Sequence, residues 1–545
     1  MQTTFPRLML DHAQARPDAA ALREKSYGIW QTISWSQLAT LVRQLACGFA
    51  EAGMKRDDHV VVVGDNRPRL YATMLAVQSL GGVPIPLYQD AASTEFVFPI
   101  QNAEVAFAVV ENQEQVDKLL EIRAQCPSLR SIWFDDPRGL RKYDEPGLQS
   151  LDLLIESGAA RAQRDASFFD EQVARVQPQD VAAMFFTSGT TGNPKGALYS
   201  HRSTLLHAYA GALPDALSLS SRDSILPVVP MFHVNAWGLP YSAAMTGAKL
   251  VFPGGALDGK SVYDLIESEG VTMAAGVPTV WLGLLNHTAQ HGLKFSTMRR
   301  TVIGGSACPP AMIKSFRDDY NVTVLHAWGM TEMSPLGTVC TLKPRQTTLA
   351  PEQQLAIMAK QGRAIYGVDM KIVDADGNEL PWDGQASGDL LVRGPWIIAS
   401  YFKGEGGNPL VEGGWFPTGD VASIDADGFL QITDRSKDVI KSGGEWISSI
   451  DVENIAMAHP AVAMAACIAV PHPKWDERPV LVVMKKPGAE ATAADILAHF
   501  DGRIAKWQIP DDVVFVDGIP LGATGKMQKN KLREQFKNHP LPAGK

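Results

Sequence analysis

Hydrophobic positions between residues 38 and 110 follow two alternating patterns. Apolar residues recur at helical spacing over 38–49 and again over 70–80, and the first of these predicted helices has Ser36 as its N-cap and Gly53 as its stop. Short continuous apolar runs occupy residues 60–63, 83–87 and 105–110. Uninterrupted apolar strands that alternate with helices are typical of a sheet covered on both faces. The pattern therefore predicts an α/β fold.

Two changes in composition divide the rest of the chain. Residues 157–180 are polar and rich in Ala, Gln and Arg, which predicts a surface connection of helix and loop. A sharper break lies at residues 434–438, just after a strand-turn-strand pattern, and beyond it short β runs (466–470, 480–484, 513–516) alternate with helical stretches. We therefore expect a large N-terminal domain with covered mixed sheets over residues 1–434, and a small α+β domain over residues 435–545.

Charge and cysteine content narrow the function classes. The 545 residues carry 50 Lys and Arg against 59 Asp and Glu, a net charge of −9, which argues against a general attraction to nucleic acid or anionic membrane. No secretory signal pattern starts the chain, and no apolar run approaches the roughly 20 residues that span a bilayer. The five cysteines are widely spaced, which disfavours a disulfide framework or a zinc site. We expect a cytoplasmic enzyme.

A loop rich in small and hydroxyl residues follows the apolar stretch 181–186. Small residues let the backbone approach an oxyanion, hydroxyls and N–H groups donate to phosphate oxygens, and a lysine adds positive charge. The candidate phosphate-binding residues are Thr187, Ser188, Gly189, Thr190, Thr191, Gly192 and Lys195. The loop is not a Walker A motif, because glycine rather than Ser or Thr follows the lysine. A plain strand-to-helix turn is the structural alternative, and the complete string favours polyphosphate binding over it.

This string resembles the signature loop of the adenylate-forming superfamily, which includes acyl-CoA synthetases, luciferases and the adenylation domains of peptide synthetases. A second similar segment is His-Ala-Trp-Gly-Met-Thr-Glu at 326–332. The resemblance implies that Glu332 ligates Mg²⁺ on ATP, that Thr331 contacts the α-phosphate, and that Trp328, with Gly329 and Met330, flanks the nucleotide. One carboxylate plus substrate phosphates is a usual Mg²⁺ arrangement. Taken alone, Glu332 would be a solvated surface charge.

Three more segments continue the resemblance toward the C-terminus. Thr-Gly-Asp at 418–420 implies that Asp420 accepts hydrogen bonds from the ribose, although an Asp after Gly is commonly a turn residue. Arg435 would also touch the ribose, and Lys437 would be the hinge of a mobile small domain. The same resemblance assigns Lys441 to catalysis, places Gly444, Glu445 and Trp446 at a pantetheine tunnel, and makes Lys526 the catalytic lysine of a mobile loop. Each of these lysines, read singly, could be solvated.

Two segments resemble the acyl-binding part of fatty acyl-CoA synthetases. In Pro-Met-Phe-His-Val-Asn-Ala-Trp at 230–237, His233 would lie by the acyl carboxylate and Trp237 would gate the hydrocarbon tunnel, with core packing as the alternative. In Gly-Gly-Ser-Ala-Cys-Pro at 304–309, Gly304 and Gly305 would contact the acyl group, and Ser306 and Ala307 the nucleotide. Cys308 is not expected to be a nucleophile, because no activating base accompanies it.

The function that these resemblances imply is an AMP-forming acyl-CoA ligase acting on an aliphatic carboxylic acid, with ATP, Mg²⁺ and CoA. The segments from about residue 176 onward look closest to medium- and long-chain fatty acyl-CoA synthetases and 3-methylmercaptopropionyl-CoA ligases. The first block looks more like another long-chain branch, so residues 157–180 are a candidate mosaic seam. Two alternatives stay open: an adenylate former that loads a carrier protein in trans, and a nucleotide sensor without catalysis. The chain is also a candidate for homodimer formation.

Overall fold

The computed structural model describes residues 3–187, 193–435, 438–442, 445–522 and 527–541. Its strands, in chain order, are β1 (Ala20–Ser26), β2 (Ile29–Ser34), β3 (His59–Val63), β4 (Val83–Leu87), β5 (Phe107–Val110), β6 (Ser131–Phe134), β7 (Leu148–Ser150), β8 (Val181–Phe186), β9 (Gly196–Ser200), β10 (Ser224–Pro227), β11 (Lys249–Phe252), β12 (Met273–Gly276), β13 (Arg300–Ile303), β14 (Thr323–Gly329), β15 (Leu336–Val339), β16 (Arg363–Ala364), β17 (Asp369–Val373), β18 (Ser387–Arg393), β19 (Phe416–Ile424), β20 (Leu430–Arg435), β21 (Ile440–Ser442), β22 (Glu445–Ile447), β23 (Val462–His472), β24 (Asp476–Lys485) and β25 (Asp512–Phe515). Its α-helices are Phe5–Ala15, Trp35–Glu51, Pro68–Ser79, Ser93–Asn102, Gln113–Ile122, Leu151–Arg164, Phe168–Arg175, His201–Ala212, Leu239–Thr246, Gly259–Glu269, Pro278–His291, Pro310–Tyr320, Pro351–Met358, Ser449–Met457, Ala493–Ala498 and Lys529–Gln535.

Two sheets with helices on their faces form most of the N-terminal part. One has nine strands in the order β16-β15-β14-β13-β12-β10-β11-β1-β2, parallel from β14 to β1 and antiparallel at both ends. The other has five parallel strands in the order β4-β3-β5-β6-β7. The expected covered mixed sheets are thereby confirmed. Parallel strands buried on both faces explain the continuous apolar runs in the sequence.

The helix Pro68–Ser79 lies in the core of this part. All of its residues except Arg69 are buried, and the Tyr71 ring lies 6.0 Å from that of Phe252, which ends strand β11 of the larger sheet. The Tyr71 hydroxyl is within 3.4 Å of the Pro240 carbonyl oxygen. A helix that is apolar on every side needs partners on every side. It therefore joins the two sheets into one core.

Three smaller sheets complete the structure. Strands β8 and β9 form a hairpin, with β8 before and β9 after the predicted phosphate-loop segment. An antiparallel sheet β17-β18-β19-β20 comes before residues 436–437. The C-terminal part has strands in the order β22-β21-β24-β23, with β25 beside β24, and the helix Ser449–Met457 packs on β23. A large unit with several sheets and a small α+β unit were expected. The domain boundary at 434/435 stays a prediction.

Two local features differ from the simplest expectation. The second helix begins at Trp35, and its N-cap is Ser34 rather than Ser36, because the Ser34 hydroxyl accepts from Gln37 N and the Gln37 side chain accepts from Ser34 N. Residues 157–180 are mostly helical. The helix Leu151–Arg164, which extends into this segment, packs closely on the second helix. A Cβ atom added to Gly158 would lie 1.7 Å from the carbonyl oxygen of Gln44. The proposed mosaic seam is thus a tightly packed segment.

Within the ranges that the structure covers, none of the helices combines the length and the apolar character needed to cross a membrane.

Candidate active site

The carboxyl ends of the parallel strands bring the predicted site segments together. Strands β10, β12, β13 and β14 are parallel neighbours, so their carboxyl ends lie at one edge of the sheet. Residues 230–237 follow β10, residues 304–307 follow β13, and residues 328–332 come at the end of β14. In open α/β sheets this edge is where ligands bind. A cavity of about 420 Å³ lies there.

Most of the predicted site residues that the structure describes line this cavity. They are Thr187, Lys195, His233, Trp237, Gly304, Gly305, Ser306, Ala307, Trp328, Gly329, Met330, Thr331, Glu332, Asp420 and Arg435. Their individual roles stay predictions.

The remaining predicted residues fall into two groups. Ser188, Gly189, Thr190, Thr191, Gly192, Lys437, Gly444 and Lys526 lie outside the described residues, and Glu445 and Trp446 are described only as backbone of β22. Lys441 is described and is not part of the cavity lining; it is exposed on β21, where its backbone N–H donates to Glu477 Oε2 at 2.8 Å. A catalytic part for Lys441 would need a different placement of β21 relative to the cavity.

The predicted phosphate end of the cavity begins at the hairpin β8–β9. Thr187 N donates to the Lys195 carbonyl oxygen at 2.9 Å, and Lys195 N donates to Thr187 Oγ1 at 3.2 Å, so the two ends of the loop are fixed to each other. The Lys195 ammonium lies 4.9 Å from the centre of the Tyr401 ring. This lysine therefore has a defined place beside the cavity.

Glu332 sits at the same end on a tightly held turn. Its side chain accepts a hydrogen bond from the Tyr401 hydroxyl at 2.8 Å, its carbonyl oxygen accepts from Ile398 N at 2.9 Å, and the preceding Thr331 carbonyl accepts from the Tyr199 hydroxyl at 2.6 Å. Glu332 is only 9% exposed, and no Lys or Arg nitrogen of the described part of the chain lies within ion-pair distance of it. A buried carboxylate without a cationic partner is costly, and its donor set suits a hard cation such as Mg²⁺.

The predicted nucleoside end is built around Asp420. Trp328 Nε1 donates to Asp420 Oδ2 at 2.9 Å, Arg435 Nε lies 3.5 Å from Oδ1, and Asp420 N donates to Thr418 Oγ1 at 3.1 Å. Asp420 is buried, and its carboxylate is oriented by groups from two other strands, β14 and β20. A fixed, buried carboxylate beside an indole ring suits an acceptor for ribose hydroxyls next to a base.

An apolar end of the cavity is formed by hydrophobic lining residues and includes an unusual turn. Its lining includes Leu217, Leu239, Val302 and Trp237. Val234, Asn235, Ala236 and Trp237 all have positive φ, between 43° and 57°, and form one left-handed turn that ends at Gly238. Such a run of non-glycine residues is strained, and strain of this kind clusters at functional sites. The turn places the Trp237 ring against Gly304, where an added Cβ would lie 3.4 Å from the ring.

Two buried side chains near the site are structural. His326 Nε2 accepts from Cys308 N at 3.2 Å, and its Nδ1 lies 3.0 Å from the Ala359 carbonyl oxygen. Burial lowers the pKa of His326 to about 4, so it is neutral at pH 7. Burial also raises the pKa of the Cys308 thiol, which leaves it protonated and unreactive. This agrees with the expectation that Cys308 is not a nucleophile.

Several lining residues carry no signal that sequence inspection would select. Tyr401 follows Ser400 in a segment without a motif, and Ile450 comes from the first helix of the C-terminal part. Asn193 and Thr418 lie in the loop after β8 and in the Thr-Gly-Asp segment, but they are not among the predicted site residues. Gln361 also lines the cavity, and its side chain accepts from Ile432 N at 2.7 Å. Tyr401 is the most consequential of these, because it contacts both Lys195 and Glu332.

Comparison with known protein families identifies the family of this chain. The family described as AMP-binding enzyme matches residues 9–402, and the AMP-binding enzyme C-terminal domain matches residues 451–526. The chain belongs to the AMP-binding enzyme family. The identification of the chain as a member of the adenylate-forming superfamily is therefore confirmed. The match to the first domain also extends across the proposed seam at 157–180.

Relatives within the AMP-binding family are similar over nearly the whole chain. A 3-methylmercaptopropionyl-CoA ligase of Ruegeria lacuscaerulensis is 44% identical, with 97% of each chain covered. A medium-chain-fatty-acid–CoA ligase of Ectopseudomonas oleovorans is also 44% identical, over 92% of this chain and 90% of its own. Among solved structures, ATP-bound MatB from Rhodopseudomonas palustris is 25% identical, with 99% of each chain covered and a TM-score of 0.80.

Proposed function

We propose that the protein is an AMP-forming acyl-CoA ligase that activates an aliphatic carboxylic acid with ATP and transfers the acyl group to CoA. The observation that carries this is that one cavity is lined by three groups of residues: Lys195 and Glu332 for the phosphates, Trp328 and Asp420 for the nucleoside, and apolar side chains beside Trp237 for the acyl chain. The expected class of acid–thiol ligase is confirmed by the relatives, which are named as CoA ligases for methylmercaptopropionate and medium-chain fatty acids.

Joining a carboxylate to the α-phosphate of ATP brings two anions together. At about 4 Å and an effective dielectric constant near 20, each pair of unit charges repels by about 4 kcal/mol. Lys195 and the loop it closes would hold the phosphates, and Thr331 would contact the α-phosphate. Glu332 would hold Mg²⁺, which when bound supplies positive charge to the nucleotide phosphates. The carboxylate oxygen attacks the α-phosphorus, the bond to the β-phosphate oxygen breaks, and pyrophosphate leaves.

The second step requires access for the thiol of CoA to the same acyl carbon. The sulfur attacks the acyl carbon as the thiolate, the carbon–oxygen bond to the phosphate breaks, and AMP leaves. Lys526, assigned to the first step, must then withdraw, and Gly444, Glu445 and Trp446 must border the pantetheine path. A rotation of the C-terminal part about Lys437 would exchange these two faces, and lids or domains that move in this way are common in enzymes. Lys441, exposed on β21, would reach the active site only after such a rotation.

The apolar end favours an aliphatic acid over a highly charged one. Leucine and valine side chains cannot satisfy a second carboxylate, so a buried second charge would be costly there. His233 lines the cavity close to this end and is the candidate contact for the reacting carboxylate. The lining of the pocket does not indicate the length of the acyl chain, because one methylene changes the free energy that separates two substrates by only about 1 to 3 kcal/mol.

The test is a panel of straight-chain and sulfur-containing carboxylic acids assayed in two ways. Exchange of labelled pyrophosphate into ATP reports adenylate formation, and release of AMP with and without CoA reports thioester formation. A ligase gives exchange with at least one acid and AMP release that depends on CoA. Exchange without a response to CoA would favour loading of a carrier protein in trans. An absence of exchange with every acid would favour the nucleotide sensor and would overturn the proposal.

The two-face scheme is tested with Lys526→Ala. This variant should lose adenylate formation but retain most of its thioester formation from supplied acyl-AMP and CoA. Lys531→Ala, which removes an exposed lysine from the helix that follows, serves as the matched control and should keep both half-reactions. Equal loss of both half-reactions in Lys526→Ala would contradict the scheme.

The cellular setting and the assembly complete the proposal. The cysteines of the described chain, Cys47, Cys126, Cys308, Cys340 and Cys467, are all buried and unpaired, which supports a reducing cytoplasm as the compartment. The partners are the small-molecule acid, ATP and CoA. The proposed assembly is a homodimer, and sedimentation at micromolar concentration tests it.

A further inference from the structure

Tyr401 contacts both charged groups at the phosphate end of the cavity. Its hydroxyl donates to Glu332 Oε1 at 2.8 Å, and its ring lies 4.9 Å from the Lys195 ammonium. It is 9% exposed and lines the cavity. The three residues come from separate parts of the sequence, at positions 195, 332 and 401, so one side chain connects two elements that carry opposite charges.

The backbone around Tyr401 holds it in this position. Tyr401 pairs with Ala197 of strand β9, just after Lys195, in an antiparallel bridge. Three residues earlier, Ile398 N donates to the Glu332 carbonyl oxygen at 2.9 Å. The segment 398–401 therefore binds the phosphate-loop hairpin on one side and the Glu332 turn on the other. This arrangement leaves the aromatic ring little freedom to leave the space between them.

The same segment is clamped to the Glu332 turn at a second point. Ser334 Oγ donates to the Trp396 carbonyl oxygen at 3.0 Å, and Trp396 Nε1 donates to the Leu336 carbonyl oxygen at 3.3 Å. Residues 396–401 and 332–336 thus run together as one unit. A change in the position of either would be passed directly to the Glu332 carboxylate.

We propose that Tyr401 is a positioning residue that orients Glu332 for a divalent cation and Lys195 for the nucleotide phosphates. This inference rests on the proposed function. The hydroxyl occupies one oxygen of the carboxylate and fixes its plane, as outer groups commonly do for metal ligands. The face of the ring attracts the ammonium group and limits its positions.

The experiment measures Mn²⁺ binding in the presence of ATP without any acid substrate, read as the loss of the electron paramagnetic resonance signal of free Mn²⁺. Tyr401→Phe keeps the ring and removes the hydroxyl. It should weaken Mn²⁺ binding about 10-fold, the lower end of the range for loss of such a partner, and leave ATP binding in EDTA unchanged. Tyr401→Leu should also weaken ATP binding in EDTA, by about 2- to 5-fold, because the ring contact with Lys195 is lost.

Tyr199→Phe is the matched control. It also removes a buried tyrosine hydroxyl from this turn, but that hydroxyl donates to the Thr331 carbonyl and not to the Glu332 carboxylate. Its Mn²⁺ affinity should fall clearly less than that of Tyr401→Phe, even if its pyrophosphate exchange is slower. Equal Mn²⁺ affinities for Tyr401→Phe and the wild type, or equal losses in Tyr401→Phe and Tyr199→Phe, would overturn the inference.

A double-mutant cycle separates positioning from a general loss of structure. If Tyr401 acts through Glu332, adding Tyr401→Phe to Glu332→Gln should change Mn²⁺ affinity by less than 2-fold, and a further 10-fold loss would contradict the inference. If Tyr401→Phe melts below the assay temperature, Tyr401→Gln, which retains a donor, should bind Mn²⁺ more tightly than Tyr401→Leu. Failure of the proposed function is distinct, because the wild type would then show no exchange with any acid while the binding measurements remain interpretable.

Discussion

Trp328 and Asp420 are joined by a hydrogen bond of 2.9 Å between the indole N–H and Oδ2, although 92 positions separate them in the chain. The other oxygen of Asp420 lies 3.5 Å from Arg435 Nε. The hydrogen bond and the ion pair together fix the plane of this buried carboxylate. The indole ring and the carboxylate therefore form one rigid surface, which we predict to contact the nucleoside.

The first prediction concerns this surface. Asp420→Ala should raise the KM for ATP by about 10- to 100-fold, since hydrogen bonds to a charged group are worth about 1.5 to 3 kcal/mol. Trp328→Phe keeps an aromatic ring and should raise it less, because Arg435 still holds Asp420. Initial rates at saturating acid and CoA give both values. An unchanged KM in Asp420→Ala would remove the ribose role from this residue.

The second prediction concerns the boundary between Gly304 and Trp237. A Cβ added to Gly304 would lie 2.9 Å from the Ala327 carbonyl oxygen, so the backbone there must shift, and it would lie 3.4 Å from the Trp237 ring, in van der Waals contact at the edge of the apolar pocket. Gly304→Ala should lower kcat/KM for the longest accepted acid by at least about 10-fold and change it less for the shortest. The ratio of the two, measured across the acid panel, is the readout.

The matched control for this substitution is Gly518→Ala. Gly518 has open space around its Cβ position, so alanine should leave the ratio unchanged. A uniform loss across all acids in Gly304→Ala would indicate general damage from overpacking, which commonly costs about 1 to 3 kcal/mol, and would contradict a role in chain-length selection.

The local motifs were predictable because each carries its chemistry within a short stretch of sequence. Glu332, Trp328 and Lys195 were all found in this way, and the structure brings them to one cavity. Tyr401 could not be found, because its importance arises from two contacts with distant segments and not from its neighbours in sequence. Ser36 was expected as an N-cap on residue type alone, whereas the reciprocal bonds with Gln37 select Ser34.

Backbone conformation was the least predictable part of the site. Residues 234–237 contain no glycine, so nothing in their composition indicates a left-handed turn. Tertiary packing sets that conformation; Gly238, which ends the turn, lies against His207, and the His207 ring accepts a hydrogen bond from Leu336 N at 3.0 Å. Contacts between distant elements decide such features, and a single sequence does not display them.

The third prediction is a pH dependence that originates in the first block. Burial, with the nearby Glu111 carboxylate, raises the pKa of Asp65 to about 6 in the folded protein. The folded state then binds a proton more tightly than the unfolded state. The contribution of Asp65 to the free energy of unfolding is fully present below its pKa in the unfolded chain, near 3.8. That contribution is lost as the pH rises through about 6, its pKa in the folded protein. Asp65 therefore destabilises the fold at neutral pH.

Asp65→Asn should consequently raise the melting temperature at pH 7.5 and have no such effect near pH 3.5. Because Asp65 is only half-buried, we expect at most about 1 kcal/mol, or about 1 °C for a chain of this size. Asp144→Asn, which changes an exposed aspartate, is the control and should not alter the pH dependence. A stabilisation by Asp65→Asn that was equal at both pH values would contradict the raised pKa. Scanning calorimetry provides the measurement.

The fourth prediction concerns a buried ion pair in the C-terminal part. Lys529 Nζ lies 2.6 Å from Glu453 Oε1 and donates to Ser449 Oγ at 2.6 Å, and Glu453 Oε1 also accepts from Cys467 N at 2.8 Å. Burial alone would lower the pKa of Lys529, but the carboxylates of Glu453 and Asp434 raise it, so the ammonium stays charged. Asp434 in turn accepts from Ser449 N at 2.7 Å, which links the cluster to the end of β20.

Glu453→Gln should destabilise the C-terminal part by about 3 to 5 kcal/mol, because it removes the carboxylate in direct contact with the buried Lys529 charge and leaves Asp434 and Asp438 as nearby acidic groups. Adding Lys529→Met removes that charge and should restore at least half of the loss, since a buried pair replaced as a whole is often nearly neutral. Hydrogen exchange over residues 445–541 reports the local stability. If Glu453→Gln and the double variant exchanged equally fast, the loss would come from packing around residue 453, and the ionic contact between Lys529 and Glu453 would contribute nothing to holding this part together.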